Sequence, residues 1–191
     1  LRVHGERQYG SIDVLAGAQW LREQGDSDGE VTFIGPVNFD IERDTFGAFA
    51  EFYSEPLTDV SVTLGLRLDK AESESAEATY KLDGSYRVVE TAELFASIGT
   101  GYKLPSFFAL ANPLVGNPLL SPETVRTVQA GVRGTGPGQL QYELAGFRSE
   151  YQDLIDFDSD LFTNVNRSDV SMSGWDLTAS GALGEQFRYR L

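Results

Sequence analysis

The sequence predicts an all-β fold, an antiparallel up-and-down sheet of about nine or ten strands of the kind that walls a transmembrane β-barrel. Three observations predict it. Apolar residues recur at every second position in one segment after another, the connections between segments are alternately short and long, and aromatic residues gather at both ends of the alternating runs.

The first clear segment after a partial strand ending at Tyr9 places Ile12, Val14, Ala16, Ala18 and Trp20 on one parity. Phe46, Ala48, Ala50 and Phe52 repeat the pattern. Val60, Val62, Leu64, Leu66 and Leu68 then alternate with Ser61, Thr63, Gly65 and Arg67, which holds period 2 over nine residues. Ala78, Tyr80, Leu82, Gly84, Tyr86 and Val88 follow, alternating with Thr79, Lys81, Asp83, Ser85 and Arg87. Leu94, Ala96, Ile98, Thr100 and Tyr102 form the next run, then Val128, Ala130 and Val132, then Leu140, Tyr142 and Leu144. Trp175, Leu177 and Ala179 precede a last fragment, Phe187, Tyr189 and Leu191. No segment reads as a convincing helix, and no run approaches the ~18 apolar residues of a membrane-spanning helix. A membrane would be met through strands alone.

Short turns are expected at Tyr9-Gly10-Ser11, Glu55-Pro56-Leu57, Val89-Glu90-Thr91, Gly134 to Gly138 and Gly181 to Glu185. Longer polar connections are expected near residues 24–42, 70–76, 104–123 and 156–170. Tight turns at one end and long loops at the other is the layout of an outer-membrane barrel. With the apolar parity toward lipid, Trp20, Phe46, Tyr80, Tyr102 and Trp175 fall at the long-loop end, and Phe52, Tyr86 and Tyr142 at the short-turn end. Phe46 and Phe52 are six residues apart, or roughly 20 Å at the strand rise, which suits the ~25 Å apolar band between aromatic girdles. A soluble β-sandwich with alternating inner faces is the rival reading of the alternation.

Composition narrows the function. With 15 basic and 29 acidic side chains the net charge is -14, the wrong sign for a nucleic-acid partner. There is no cysteine, which excludes disulfides, thiolate metal sites and Cys nucleophiles. One histidine, His4, is a poor basis for a zinc site or a Ser-His-Asp triad, and neither a G-x-S-x-G elbow nor a P-loop is present. An enzyme is not expected.

The stretch Gly99-Thr-Gly-Tyr-Lys-Leu-Pro-Ser106, followed by Gly116-Asn-Pro-Leu-Leu-Ser-Pro-Glu123, resembles a motif of TonB-dependent outer-membrane receptors. Arg43-Asp-Thr-Phe-Gly-Ala-Phe-Ala-Glu51 with Gly65-Leu-Arg-Leu-Asp69 is similar to the preceding strand pair of that family. Asp153-Leu-Ile155, Asn166-Arg167 and Gly174-Trp-Asp176 are similar to its following strands. The resemblance implies part of a barrel of about 22 strands, in the bacterial outer membrane, that takes up a scarce bulky nutrient such as a ferric siderophore or cobalamin. It implies three further partners: outer-membrane lipid, an N-terminal plug domain and the TonB complex. Nothing in residues 1–191 is similar to the plug, so the chain is expected to be a partial barrel domain, with no cofactor. A small complete barrel, an adhesin or a barrel enzyme, is the alternative.

Candidate site residues follow from placement. Phe107, Phe108, Asn112 and Asn117 lie in the loop that should face the exterior and are candidates for ligand contact, although Asn117 with Pro105, Pro118 and Pro122 also suits a purely loop-shaping role. Arg67, Lys81, Arg87, Lys103, Arg133 and Asp176 fall on the polar parity and are expected to face the lumen and plug. Asp26, Asp28, Asp156, Asp158 and Asp160 alternate in the loops and are weak calcium candidates. Neither group continues as an EF-hand loop, and solvated acidic loops are the competing reading.

Overall fold

The computed structural model describes residues 1–32, 35–72, 74–137, 140–167, 169–183 and 187–190. The expected turn residues Gly138, Gly184 and Glu185 and the expected strand end Leu191 lie outside them. In chain order the strands are β1 (Arg2–Tyr9), β2 (Ile12–Ser27), β3 (Glu30–Val31), β4 (Gly35–Pro36), β5 (Phe39–Leu57), β6 (Val60–Ala71) and β7 (Ala76–Val89). They continue as β8 (Ala92–Lys103), β9 (Glu123–Gly136), β10 (Leu140–Gln152), β11 (Leu154–Asp158), β12 (Thr163–Arg167), β13 (Val170–Leu183) and β14 (Phe187–Arg190). Among the described residues one helix, α1 (Phe107–Ala111), interrupts the loop between β8 and β9.

Ten strands form one sheet in the order β1-β2-β5-β6-β7-β8-β9-β10-β13-β14, each antiparallel to its neighbours. The remaining four make two small ribbons, β3 with β4 and β11 with β12, inside the long loops. Among the described residues β1 and β14 do not pair, so the sheet is open at both edges. A single open meander is neither a sandwich nor a closed small barrel.

The long connections all leave one end of the sheet and the tight turns the other. Three details differ from the sequence reading. First, the second turn lies at Thr58-Asp59, and Glu55-Pro56-Leu57 remain in β5, where the register with β6 shifts between Ser54 and Leu57. Pro56 has no N–H to offer the ladder, and a bulge is where a strand tolerates it. A similar irregularity lies between Arg87 and Val89, before the turn at Glu90-Thr91. In the β1–β2 turn Gly10 supplies a left-handed residue at φ +64, which suits the strand twist, and that hairpin keeps its register without a bulge. Second, Gly134 to Gly136 and Gly181 to Leu183 stay paired.

Third, β2 and β5 run on to Ser27 and from Phe39, shortening the expected 24–42 loop. The hydrophobic alternation stops there because both faces turn polar, while the ladder continues through Arg22↔Asp44, Glu23↔Arg43 and Asp26↔Asp40.

Register fixes the two faces. Val14, Ala16, Ala18 and Trp20 on β2 lie beside Phe52, Ala50, Ala48 and Phe46 on β5, and these lie beside Leu64, Leu66, Leu68 and Lys70 on β6. The outer face holds the large exposed side chains: Phe46 at 60%, Leu68 at 52%, Tyr86 at 51% and Trp175 at 79% exposure. So much exposed apolar surface on one side of a sheet is a contact surface, here of barrel height. Its upper edge is marked by Trp20 stacked on Phe46 with ring centroids 6.4 Å apart, and Arg22 caps the pair from above while donating twice to Asp44. The opposite, inner face carries the buried polar residues Thr45, Asp69 and Ser149.

Candidate ligand-binding site

Residues 104–122 form a strap at the long-loop end that contains no charged residue. Ser106 accepts the Ala109 N–H at 3.1 Å and so starts α1, and Asn112 ends it, its own N–H donating to the Phe108 carbonyl at 3.2 Å. The short helix escapes a periodicity reading because its five residues make little more than one turn. The Asn112 side chain accepts from the N–H groups of Leu114 and Val115, and the Asn117 side chain accepts from Leu119 N–H.

One end of the strap is tied to the β11–β12 ribbon. Asn117 donates to the Asn164 carbonyl at 2.9 Å, and Asn164 donates through backbone and side chain to the Val115 carbonyl. Asn166 accepts from Ser121 N–H at 2.8 Å and donates to the carbonyls of Ser121 and Asp153. Glu123 accepts from Ile155 N–H at 2.9 Å and pairs with Lys103 at 3.0 Å. Strap and ribbon are therefore one hydrogen-bonded unit.

The other end crosses to β2 and β5. Arg43 donates to the carbonyl of the fully buried Pro105 at 3.0 Å, lies 4.8 Å over the Phe107 ring, and is held by Glu23 at 3.1 Å. Phe107 packs on Gly25, in the space a Cβ would fill. Beneath the strap a hollow of about 350 Å³ opens on the inner face, lined by Gln19, Glu23, Arg43, Thr45, Arg67 and Asp69 among others. Tyr102 also lines it, so Tyr102 is not part of the outer girdle where the alternation placed it. Pairing between β7 and β8 ends at Lys81↔Gly99, and the upper part of β8 is free of the β7 register from there.

Of the four candidate ligand residues, Phe107 is half-buried against Gly25 and Arg43, and Asn112 and Asn117 spend their side chains inside the strap–ribbon unit. Phe108 is the one that faces out, at 55% exposure, and Leu119 joins it at 87%. Arg67, Lys81, Arg87, Lys103, Arg133 and Asp176 all share the inner parity through the register. Five of them already have acid partners in the wall: Asp69, Asp83, Asp59, Glu123 and Glu93 in that order.

Several of the loop acids named as calcium candidates have partners within the protein. Among the described residues no three acidic side chains converge as a metal site. Arg167 takes Asp156 at 3.0 Å and Asp158 at 3.7 Å, while Asp158 also accepts the N–H groups of Asp160 and Leu161. Those two N–H groups, Leu161 first, hold the Asp158 carboxyl below the ordinary carboxylate range. Asp26 lies directly across the ladder from Asp40, and Asp28 belongs to the loop beyond. Residues 22–44, 69–77 and 150–170 together hold 17 acids and 4 bases, a net of -13 out of the chain's -14. The charge is a property of the rim.

Arg43, Thr45 and Asp69 are not singled out by the sequence as site residues, though they stand on the polar parity of the strands that carry Arg67. Comparison with known proteins bears on the whole arrangement. Residues 2–191 match the family model described as TonB dependent receptor-like, beta-barrel. The chain belongs to the TonB-dependent receptor β-barrel family. Within that family it is 26% identical over 180 residues to the vitamin B12 transporter BtuB of Photobacterium profundum, covering 91% of this chain and 28% of the relative. It is 33% identical over 98 residues to BtuB of Vibrio vulnificus, covering 51% of this chain and 16% of the relative. The crystal structure of the siderophore receptor PirA from Pseudomonas aeruginosa shares the fold with a TM-score of 0.79 at 19% identity, over 99% of this chain and 37% of PirA. The chain thus spans about a third or less of the receptors it matches. It is a wall segment of an outer-membrane receptor barrel.

Proposed function

We propose that this wall belongs to a transporter that takes up a scarce bulky nutrient, a ferric siderophore or cobalamin, through a TonB-energised step. The observation that carries the reading is the match to a vitamin B12 transporter along 91% of the chain. The geometry supports it. An apolar outer face suits lipid, an inner face of wall-paired charges suits a plug domain that must slide or unfold without stranding a charge, and the strap stands where a ligand arrives. The inner residues Arg67, Lys81, Arg87, Lys103, Arg133 and Asp176 are the proposed plug-facing set, and Phe108 with Phe107, Asn112 and Asn117 the strap that meets the ligand. Within it Phe108 supplies the contact and the others the shape.

The test is uptake by cells whose only candidate receptor is the full-length protein containing this wall, supplied with vitamin B12 or ferric enterobactin. Uptake of one of them that stops when TonB is deleted is the expected result. Equal uptake with and without TonB, or uptake of neither, contradicts the proposal.

A further inference from the structure

The wall has a seam between β7 and β8. Their register ends at Lys81↔Gly99, yet above that level β7 keeps β6 as far as Lys70↔Ala76 and β8 keeps β9 as far as Lys103↔Glu123. The two strands part upward, and at the fork the Tyr80 N–H donates to the Thr100 side chain at 3.2 Å. A cleft of about 390 Å³ lies in the fork, lined by Glu77 and Thr79 of β7, Thr124 and Arg126 of β9, and Glu150 and Gln152 of β10 among others. Tyr102 lines both this cleft and the hollow beneath the strap, so it stands between the seam and the inner face.

Register gives the cleft its height and outlook. Thr124, Arg126, Glu150 and Gln152 share a parity with Val128, Ala130 and Leu144, which belong to the apolar outer face. Val128 is 47% exposed, and Trp175 rests its ring on Gly146. Rows of paired residues climb from Trp175↔Gly146↔Ala130 through Ser173↔Arg148↔Val128 to Ser171↔Glu150↔Arg126. An exposed tryptophan marks the level where acyl chains give way to headgroups. Arg126 and the cleft therefore stand at headgroup height, above an apolar track.

The lining has charge and hydroxyls to offer. Arg126 is exposed and forms no ion pair among the described residues; Glu150, directly across the ladder, pairs with Arg148 at 3.0 Å. A free guanidinium takes a phosphate through two parallel N–H groups. Thr79, Thr124 and Gln152 can donate to or accept from sugar hydroxyls, and the Glu77 carboxylate accepts from them. Carboxylates beside the one unpaired cation disfavour a bare polyanion and suit a group carrying a phosphate and several hydroxyls. The volume suits one such ring.

We propose that the β7–β8 seam binds the phosphorylated sugar head of an outer-leaflet glycolipid. Arg126 holds the phosphate, Thr79, Thr124 and Gln152 hold the sugar, and the acyl chains run down the track of Val128, Ala130 and Leu144. The site faces away from the barrel interior and does not depend on which molecule is transported.

The experiment titrates the delipidated full-length receptor in detergent, followed by native mass spectrometry, with four probes: lipid A, lipid A stripped of its phosphates, phosphatidylglycerol and glucosamine 1-phosphate. Lipid A is expected to bind about tenfold more tightly than each of the others. Arg126→Gln is expected to weaken lipid A binding about tenfold, Arg126→Lys to restore part of it, and Thr124→Val to weaken it about threefold. Position 126 is exposed, so R126Q is expected to melt with the wild type. Arg7→Gln, on the same face but at the short-turn end where Arg7 lies over the Tyr9 ring, is expected to change nothing. Equal binding of lipid A by R126Q and wild type overturns the site, and so does a loss in R7Q as large as in R126Q. Phosphate-free lipid A held as tightly as lipid A overturns the role of Arg126. Phosphatidylglycerol held as tightly overturns the sugar contacts, and glucosamine 1-phosphate held as tightly overturns the acyl track.

Discussion

Arg43 on β5 donates to the carbonyl of Pro105 at 3.0 Å, joining residues 62 apart in the chain and fixing the strap over the inner face. The Arg43 side chain is 13% exposed, so the hydrogen bond and the Glu23 pair that orients it are shielded from water. Arg43→Ala is expected to release that end of the strap, weakening its closed state by about 2 kcal/mol, the size of a charge-assisted hydrogen bond. Hydrogen exchange at the amides of Leu110, Asn112 and Gly116 checks it, and rates equal to wild type would show that the ribbon side holds the strap alone. Arg43→Lys is expected to rescue little, because an ammonium cannot both stack flat on Phe107 and reach two partners in a fork.

Asn166 holds the other side, with three hydrogen bonds to Ser121 and Asp153. Asn166→Ala is expected to loosen the strap from the β11–β12 ribbon by about 1 kcal/mol, since the freed groups are exposed and water replaces part of what is lost. Faster exchange of the Ser121 amide with an unchanged global melt is the expected signature. An unaffected Ser121 amide would mean that Asn164 and Asn117 suffice.

What is readable in the sequence, and what is not, divides along the same line. Strand segments declare themselves locally: Val60 to Leu68 alternate because one side of β6 meets an apolar surface and the other does not. Pro56 suits a turn or a bulge, and the difference depends on how β6 pairs back, which Pro56 itself does not encode. The polar upper arms of β2 and β5 show no hydrophobic period because neither face there is apolar. Nor can the hollow be read. Thr45, Asp69 and Tyr102 come from three strands, and the contact of Arg43 with Pro105 spans a chain distance over which composition carries no signal. Phe107 and Phe108 are adjacent candidates, and only the packing on Gly25 separates the buried ring from the exposed one.

The two faces of β6 should respond oppositely to charge. Leu66→Lys places an ammonium on the outer face and is expected to destabilise the barrel in bilayers by about 2–4 kcal/mol near mid-membrane. Thr63→Lys, on the inner parity, is expected to cost less than about 1 kcal/mol. Urea unfolding of the full-length receptor in lipid vesicles measures both, and equal losses would contradict the assignment of faces.

Acid should loosen the tip of the β11–β12 ribbon. Asp158 has its folded pKa below the ordinary carboxylate value, so its contribution is fully present above that value, 3.8, and is lost as the pH falls through the lower, folded one. The Asp160 and Leu161 amides are expected to lose protection at pH below about 3.8 in wild type, and to show no such step in Asp158→Ala. A transition centred near neutral pH would point to a different group.

The outer-membrane wall itself is tested most directly by single cysteines at positions 62 to 68 of β6 in the full-length receptor, reconstituted in lipid vesicles. The 191 residues contain no cysteine of their own, so labels placed here report from known positions. A spin label at Val62, Leu64, Leu66 and Leu68 is expected to be relaxed by oxygen dissolved in the bilayer. At Thr63, Gly65 and Arg67 it is expected to be shielded from oxygen by the barrel interior, giving a strict alternation of period 2. Uniform relaxation by a water-soluble agent at all seven positions would contradict a lipid-facing wall.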